Sequence, residues 1–383
     1  MALHFSRQEF SDRMQKLQAA MDRRKLDCML LFAQESMYWL TGYDTFGFCF
    51  FQCLVVKRDG DMALLARAPD LRQARHTSTI DNIVIWNDRA NVDPTSELHA
   101  LLSEMDLVGA SIGIEYATAG LTAKNGLALE ARLKGFGELR DASDLVPGLR
   151  MIKSPAELEY ATKAGELADA ALDAAIVLTK AGADEGEILA AMHSAIFTAG
   201  GDYPGNGFII GSGRDALLCR YKSGRRKLSE SDQLTLEWAG ACAHYHAAMM
   251  RTIIVGAPTP RHMELYEASR AALDACVAQA QVGNPISAIF EAHAQVLDAA
   301  ELARHRLNAC GYSLGATFAP SWMDAPMIFA DNETIIEENM VLFLHMIIAD
   351  SDAETAMTLG QSYVTGSSGP KSLSRHSVDL LVR

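Results

Sequence analysis

Apolar residues recur at helical intervals near the start of the chain. Between residues 6 and 24, Phe10, Met14, Leu17 and Met21 lie three or four positions apart among charged neighbours, which predicts an amphipathic helix. The period then shortens. "CMLLF" (28–32), "FCFFQCLVV" (48–56) and "MALLA" (62–66) are apolar runs of strand length, with the turn "KRDGD" between the last two. "SIGIEY" (111–116) adds a strand, and a helical pattern covers 121–133. Strands alternating with helices predict an α/β N-terminal domain over 1–148.

Pro147-Gly148 then punctuates the pattern, so a second domain is expected over 149–383. Ser154, Pro155 and Glu157 form a capping box with proline at the first helical position, and the helix they open runs to about Thr179. Its Leu158, Ala161, Leu167, Ala171 and Leu172 share one face. A second helix opens at Asp184, with Glu187 three residues on, and stops at Gly200-Gly201. Thr259-Pro260 opens a third, and 286–306 carries a fourth helical pattern. The strand candidates are "GFIIGSG" (207–213), "QLTLEWA" (233–239), "MRTIIVG" (250–256), "MVLFLHMIIA" (340–349) and "QSYVT" (361–365). Helices outside and long strands inside predict an α+β layer wrapped round a pocket. "TGSSGPKSLSRH" reads as a turn-rich connector and "GRRK" (224–227) as a solvated turn.

Composition narrows the function classes. A length of 383 residues favours two domains over one. The formal net charge of −14, without a basic cluster, argues against nucleic acid and anionic membrane as partners. No apolar run nears the ~20 residues of a membrane span. The first 25 residues lack the apolar core of a signal peptide, so a cytoplasmic protein is expected. Seven scattered cysteines without a C-x-x-C read as buried thiols in a reducing compartment. "GSGRDA" (211–216) lacks the third glycine of a dinucleotide loop, and neither H-E-x-x-H nor a phosphate-binding loop occurs.

The most informative stretch is "LTLEWAGACAHYHAAMMRT" (234–252): a strand-like run with the single acid Glu237, a glycine, an HYH triplet, and a second strand ending at Arg251-Thr252. An unpaired acid on a buried strand is costly, which favours a functional role for Glu237 over a structural one. His244 and His246, two residues apart, would share a face if both lie on a strand, but no third donor stands at a recognisable spacing.

The succession "IKSPAELEYATKAGELADAAL", "YPGNGFIIGSGRDALLCRYKSGRRKLSESDQLTLEWAG", "AAMMRTIIVG", "ACGYSLGATFAPSW", "ENMVLFLHMII" and "SYVTGSSG" resembles the creatinase/methionine aminopeptidase superfamily from about residue 150 onward. The resemblance implies a pita-bread fold for 149–383 and the extra α/β domain of creatinases and prolidases for 1–148. Peptide-cutting members bind two metal ions through two Asp, one His and two Glu. By resemblance these positions fall at Trp238 with Glu237 beside it, Ala248, Tyr312, His345 and Leu359 or a neighbour. Every ligand has changed, and neither a metal nor another cofactor is expected. Creatinase's catalytic His falls at Arg220 and its substrate-gripping glutamates at Met250 and His345, which argues against creatine. "SMYWLTGYDTFGFCFFQC" and "GYSLGATFAPSWMDAPM" resemble most closely the ectoine hydrolases, a metal-free branch that opens a cyclic amidine.

That resemblance implies hydrolysis of ectoine, with hydroxyectoine as a second candidate, to N-acetyl-2,4-diaminobutyrate. Glu237 is expected as the nucleophile at the amidine carbon, or alternatively as a general base. His246 and His345 are proton-transfer candidates, since imidazole titrates near neutrality, and Tyr245 would hold the leaving nitrogen or a water. Trp238, Tyr312 and Trp322 would wall the pocket, a ring face attracting a desolvated cation by about 0.5–2 kcal/mol. Phe48 and Phe50 belong to a segment that in creatinases reaches the neighbouring subunit's pocket. Arg220 would read the substrate carboxylate, with Arg251 either an alternative or a brace between strands. The expected partners are a small zwitterionic substrate, a second copy in a homodimer with sites near the interface, and a downstream deacetylase. A metal-dependent Xaa-Pro-type aminopeptidase, a hydrolase or lyase of another compatible solute, and a non-catalytic binding module are the alternatives.

Overall fold

The structure is a computed structural model that describes residues 3–220 and 224–383. It divides into two units, Met1–Arg150 and Met151–Arg383. The first contains α1 (Arg7–Arg24), β1 (Cys28–Leu31), α2 (Gln34–Thr41), β2 (Cys53–Lys57), β3 (Met62–Arg67), α3 (Asp70–Thr77), β4 (Asn82–Trp86), α4 (Pro94–Glu104), β5 (Ser111–Ile114), α5 (Ala123–Leu133), β6 (Glu138–Asp141) and α6 (Leu145–Arg150). The strands form one sheet in the order β4-β3-β2-β1-β5-β6. β1, β2 and β3 are antiparallel neighbours, and the remaining pairs are parallel.

β1 is buried along its whole length, which is why its sequence shows a run and no alternation. α2 is buried on nearly every side, so it carries no helical period and pattern reading misses it. The strand expected over 48–56 begins only at Cys53. Before it, Gly47–Cys49 is a 3-10 turn, and the Phe50 ring lies under the Arg67 guanidinium at 3.9 Å. Phe48 and Phe50 therefore precede the strand. Glu115 caps the start of α2, its carboxylate accepting from the Phe32 and Ala33 amides and from Ser36 Oγ. Burial pushes its pKa up to about 7 against those donors.

The second unit contains α7 (Pro155–Leu178), α8 (Glu185–Thr198), β7 (Ile209–Ser212), β8 (Asp232–Cys242), β9 (Tyr245–Val255), α9 (Pro260–Gln279), α10 (Ser287–Ala299), β10 (Gly311–Ser313), β11 (Asp324–Ile328), β12 (Val341–Asp350), β13 (Thr355–Val364), β14 (Lys371–Ser372) and β15 (Leu381–Val382). The capping box of α7 is present as expected, with Ser154 Oγ accepting from Glu157 N and the Glu157 carboxylate accepting from Ser154 N. The fourth helix ends at Ala299, short of 306, and Glu301 just beyond takes a left-handed φ of 59°.

The strands form one sheet in the order β11-β10-β12-β13-β9-β8-β7, with β14 on β13 and β15 on β9. Alternate residues go to opposite faces. On one face Leu236, Trp238 and Met249 pack with α7 and α8, while Leu344, Met346 and Leu359 pack with α9 and α10. The opposite face carries the site described below. No described helix is long and apolar enough to cross a membrane.

Two polar clamps hold this layer together. The buried Arg251 donates to the Gly360 carbonyl at 2.6 Å, to Gln361 Oε1 at 2.6 Å and to the Ser377 carbonyl at 3.3 Å, tying β9 to β13 and to the C-terminal connector. It is the strand brace and not a reader of substrate. The connector itself is fixed to α7: Ser374 Oγ and the Arg375 amide donate to the buried Asp169. Arg226 in "GRRK" is likewise engaged, pairing with Asp232 at 3.1 Å and donating to Ser212 Oγ, because a buried Asp232 needs a counter-charge.

β8 lies directly on α7 at Gly240, where a Cβ would stand 2.0 Å from the Ala164 carbonyl oxygen and 2.6 Å from the Ala168 amide nitrogen. Both atoms are backbone and cannot rotate away. Gly240→Ala is therefore expected to cost about 1–3 kcal/mol or more through overpacking, read as a fall of several degrees in the thermal midpoint of the second unit.

Candidate active site

The antiparallel register places residues from five strands in rows across the face of the sheet that turns away from the helices. One row runs Ile209, Glu237, Met250, Gly360, His345. One step along lie Ala239 paired with Ala248, and Ser362 paired with Phe343, which faces Tyr312. The small Ala239, Ala248, Gly360 and Ser362 leave room above the sheet, and larger side chains from β10 and the loop after it fill that space. A Cβ on Gly360 would stand 2.7 Å from the Phe343 ring.

Glu237 faces this space. Tyr312 Oη donates to Glu237 Oε1 at 3.4 Å, and Trp322 Nε1 donates to Tyr312 Oη at 2.8 Å. The Trp322 indole thus fixes the phenol oxygen as acceptor, and the phenol's one proton points to the carboxylate. Burial pushes the Glu237 pKa up to about 7, opposed by the nearby Arg220 guanidinium and by the Tyr312 hydrogen bond. Burial raises the Tyr312 hydroxyl well above its ordinary range, so the phenol stays a donor. The rings of Tyr312, Phe343 and His345 meet at tilted angles of 46–57° and centroid distances of 5.3–5.7 Å. Arg220 is exposed, and its charge acts on Glu237, Tyr312 and His345.

Glu237, Tyr312, Trp322, His345 and Arg220 are thus the expected site residues that the structure brings together. Three others fall elsewhere. Trp238 follows Glu237 on β8, so its side chain goes to the opposite face, where Nε1 donates to the Ala168 carbonyl of α7 at 2.9 Å. Tyr245 points to α7 as well, its hydroxyl donating to Glu157 Oε1 at 2.6 Å. His246 shares Glu237's face but pairs with Ala241, four residues or ~13 Å along the strand. Its Nε2 accepts from the Gly205 amide at 2.9 Å, which puts the proton on Nδ1, 3.1 Å from Thr317 Oγ1. Burial lowers its pKa to about 4. His246 therefore anchors the β10–β11 loop that carries Trp322, away from the Glu237 row. His244 lies in the hairpin turn with a φ of 63°, stacked on Phe318 at 4.1 Å, so the two histidines do not form a strand pair.

His345 is in place, but burial, with His293 and Arg220 nearby, lowers its pKa to about 3. Burial thus favours the neutral imidazole, whose Nδ1 has no hydrogen-bond partner among the described residues. The last family ligand position is better matched by Gly360, which pairs with His345, than by Leu359, which pairs with Arg251 on the helix side. Sequence reasoning missed Gly360 and Phe343, both recoverable by counting alternate residues once the strand pairing is known.

Residues 159–366 match metallopeptidase family M24, and residues 13–152 match the creatinase/prolidase N-terminal domain. The chain belongs to the M24 family, in the creatinase/aminopeptidase P superfamily. Among curated relatives it is 26% identical over 358 residues to ectoine hydrolase of Halomonas elongata, covering 88% of this chain and 89% of that protein. It is 23% identical over 333 residues to Xaa-Pro dipeptidase of Pyrococcus furiosus, covering 86% and 88%. The prolidase of Thermococcus sibiricus superposes with a TM-score of 0.88 at 18% identity, covering 98% of this chain and 99% of that one. The fold is the pita-bread fold with a creatinase-type N-terminal domain.

The family's name implies a metal centre, and the donors present do not fit one. Glu237 and His345 stand among Met250, Gly360, Ala248 and Ala239, which offer no side-chain oxygen or nitrogen. Among the described residues no three His, Cys, Asp or Glu side chains group closely enough to hold an ion.

Because its folded pKa lies above the ordinary carboxylate value, Glu237 binds its proton more tightly folded than unfolded. Its penalty on stability is absent below about pH 4.5 and complete above about pH 7. Glu237→Gln is therefore expected to raise the thermal midpoint of the second unit by about 2–4 °C at pH 8, and by less at pH 5. Equal shifts at both pH values would contradict a buried, strained carboxylate.

Proposed function

We propose that this protein hydrolyses a small cyclic amidine, ectoine, to N-acetyl-2,4-diaminobutyrate without a metal ion, with Glu237 as nucleophile. The observation that carries this reading is the lone carboxylate held among aromatic rings, where a peptidase of the family would gather metal ligands. A flat amidinium suits such a site: its charge compensates Glu237, and its delocalised ring stacks on aromatic faces. The likeness to the Halomonas ectoine hydrolase supports the same substrate class.

Glu237 forms a C–O bond to the amidine carbon as the C=N π pair moves to nitrogen. One ring C–N bond then breaks: the other nitrogen re-forms C=N and gives up its N–H proton, and the departing nitrogen takes that proton and leaves as an amine. Water bonds to the same carbon, and the C–O bond to Glu237 breaks with its electron pair, restoring the carboxylate. One water proton goes to the amine and the other replaces the proton used in ring opening. Tyr312 holds Glu237 in line, and Arg220 pairs with the substrate carboxylate. Ionisation of Glu237 makes the nucleophile, so kcat/KM should rise with pH through about 7.

Incubation with ectoine, followed by product mass, tests the reading. Wild type is expected to yield the acetylated diamine with or without chelator, and Glu237→Ala to lose at least about 1000-fold in kcat. Unchanged turnover by Glu237→Ala would overturn the mechanism. Cleavage of an Xaa-Pro dipeptide with added manganese, and no ring opening, would favour the peptidase instead.

A further inference from the structure

Next to the Glu237 row lies a row of hydroxyls. Thr235 on β8 pairs with Thr252 on β9, and Thr252 meets Thr358 on β13. Two of the three satisfy each other: Thr252 Oγ1 and Thr358 Oγ1 are 3.1 Å apart, and Thr252 Oγ1 also accepts the Thr358 amide at 2.8 Å. The third does not. Thr235 is 3% exposed, and its Oγ1 is buried without a hydrogen-bond partner. An orphaned buried hydroxyl costs about 1–3 kcal/mol, so its retention calls for a partner.

Thr235, Glu237 and Thr358 line a small, partly open cavity together with Ala216, Leu217 and Cys219. Its volume of about 10 Å³ is close to what one water molecule requires, and too little for a six-membered ring. Thr235 and Glu237 are two residues apart on one face, roughly 7 Å between Cα atoms. A single water bridges two oxygens up to about 5.6 Å apart, and both residues line the one cavity in which it would sit.

We propose that Thr235 is a positioning residue that holds the hydrolytic water against Glu237. This inference rests on the ring-opening reaction above and supplies its second half. The cavity keeps one water within reach of the carbon bound to Glu237, on the sheet side, while the substrate ring occupies the aromatic side. When the amine has left, this water bonds to that carbon and the Glu237 carboxylate departs. Thr235 Oγ1 accepts one water hydrogen, and this aims a lone pair of the water oxygen at the carbon. The other lining side chains are apolar apart from Thr358 and Cys219, so a displaced water finds few alternative anchors.

Thr235→Val keeps the shape and removes the hydroxyl, and Thr235→Ser returns it. In Thr235→Val, kcat for ectoine is expected to fall about 10- to 100-fold with KM within twofold of wild type, and a covalent adduct on Glu237 should accumulate in the intact-protein mass. Thr235→Ser is expected to recover most of the lost kcat. A crystal structure without substrate supplies an arm independent of the reaction: one water within hydrogen-bond distance of Thr235 Oγ1 and Glu237 in wild type, and none in Thr235→Val. Wild-type kcat in the Val variant, a change confined to KM, or an empty wild-type cavity would each overturn the proposal. If wild type leaves ectoine intact, the ring-opening reading fails, and the crystallographic arm alone decides whether Thr235 holds a water on Glu237.

Discussion

A carboxylate removed from water is the constraint around which the second unit is arranged. Glu237 receives a long hydrogen bond from Tyr312 and the field of Arg220, and neither cancels the burial that holds it near pKa 7. A structural acid would have acquired closer partners, as Glu115 has with three donors in the first unit. The contrast is informative because burial pushes both acids to about the same value. Glu115 spends its oxygens on two backbone amides and the Ser36 hydroxyl, whereas Glu237 has one long hydrogen bond from Tyr312.

The rest of the unit serves that arrangement. Helices α7 and α8 fix the back of the sheet, with Gly240 letting β8 approach α7 backbone to backbone. Arg251 locks β9 to β13, so the Glu237 and Gly360 rows keep their register. His246 and Thr317 hold the loop that delivers Trp322, and Trp322 in turn orients Tyr312. Each link is a buried hydrogen bond or a close contact, which suits a site that must be preorganised before substrate enters.

Much of this was legible in the sequence, for identifiable reasons. The helix starts at Ser154, Asp184 and Thr259 were readable because capping chemistry is local. Glu237 stood out because a lone acid on an apolar strand has few structural explanations. Side-chain direction was harder. Trp238 and Tyr245 were expected in the pocket because they neighbour it in sequence, yet pleating sends them to α7. The hydroxyl row needs the pairing of β8, β9 and β13, which no linear pattern reveals. The short β10 and β11, and the apolar α2, were missed for lack of a period.

The three histidines His246, His293 and His345 are all buried, and each is held neutral with its pKa lowered to between about 3 and 4. An unfolded chain takes up protons on imidazole near pH 6.5, while these three refuse them until far more acid conditions. Acidification from about 6.5 toward 4 therefore drains stability through every one of them, opposite in sign to the relief offered by Glu237 over part of the same range. Burying three imidazoles in one unit thus makes each of them a contribution to stability that mild acid removes.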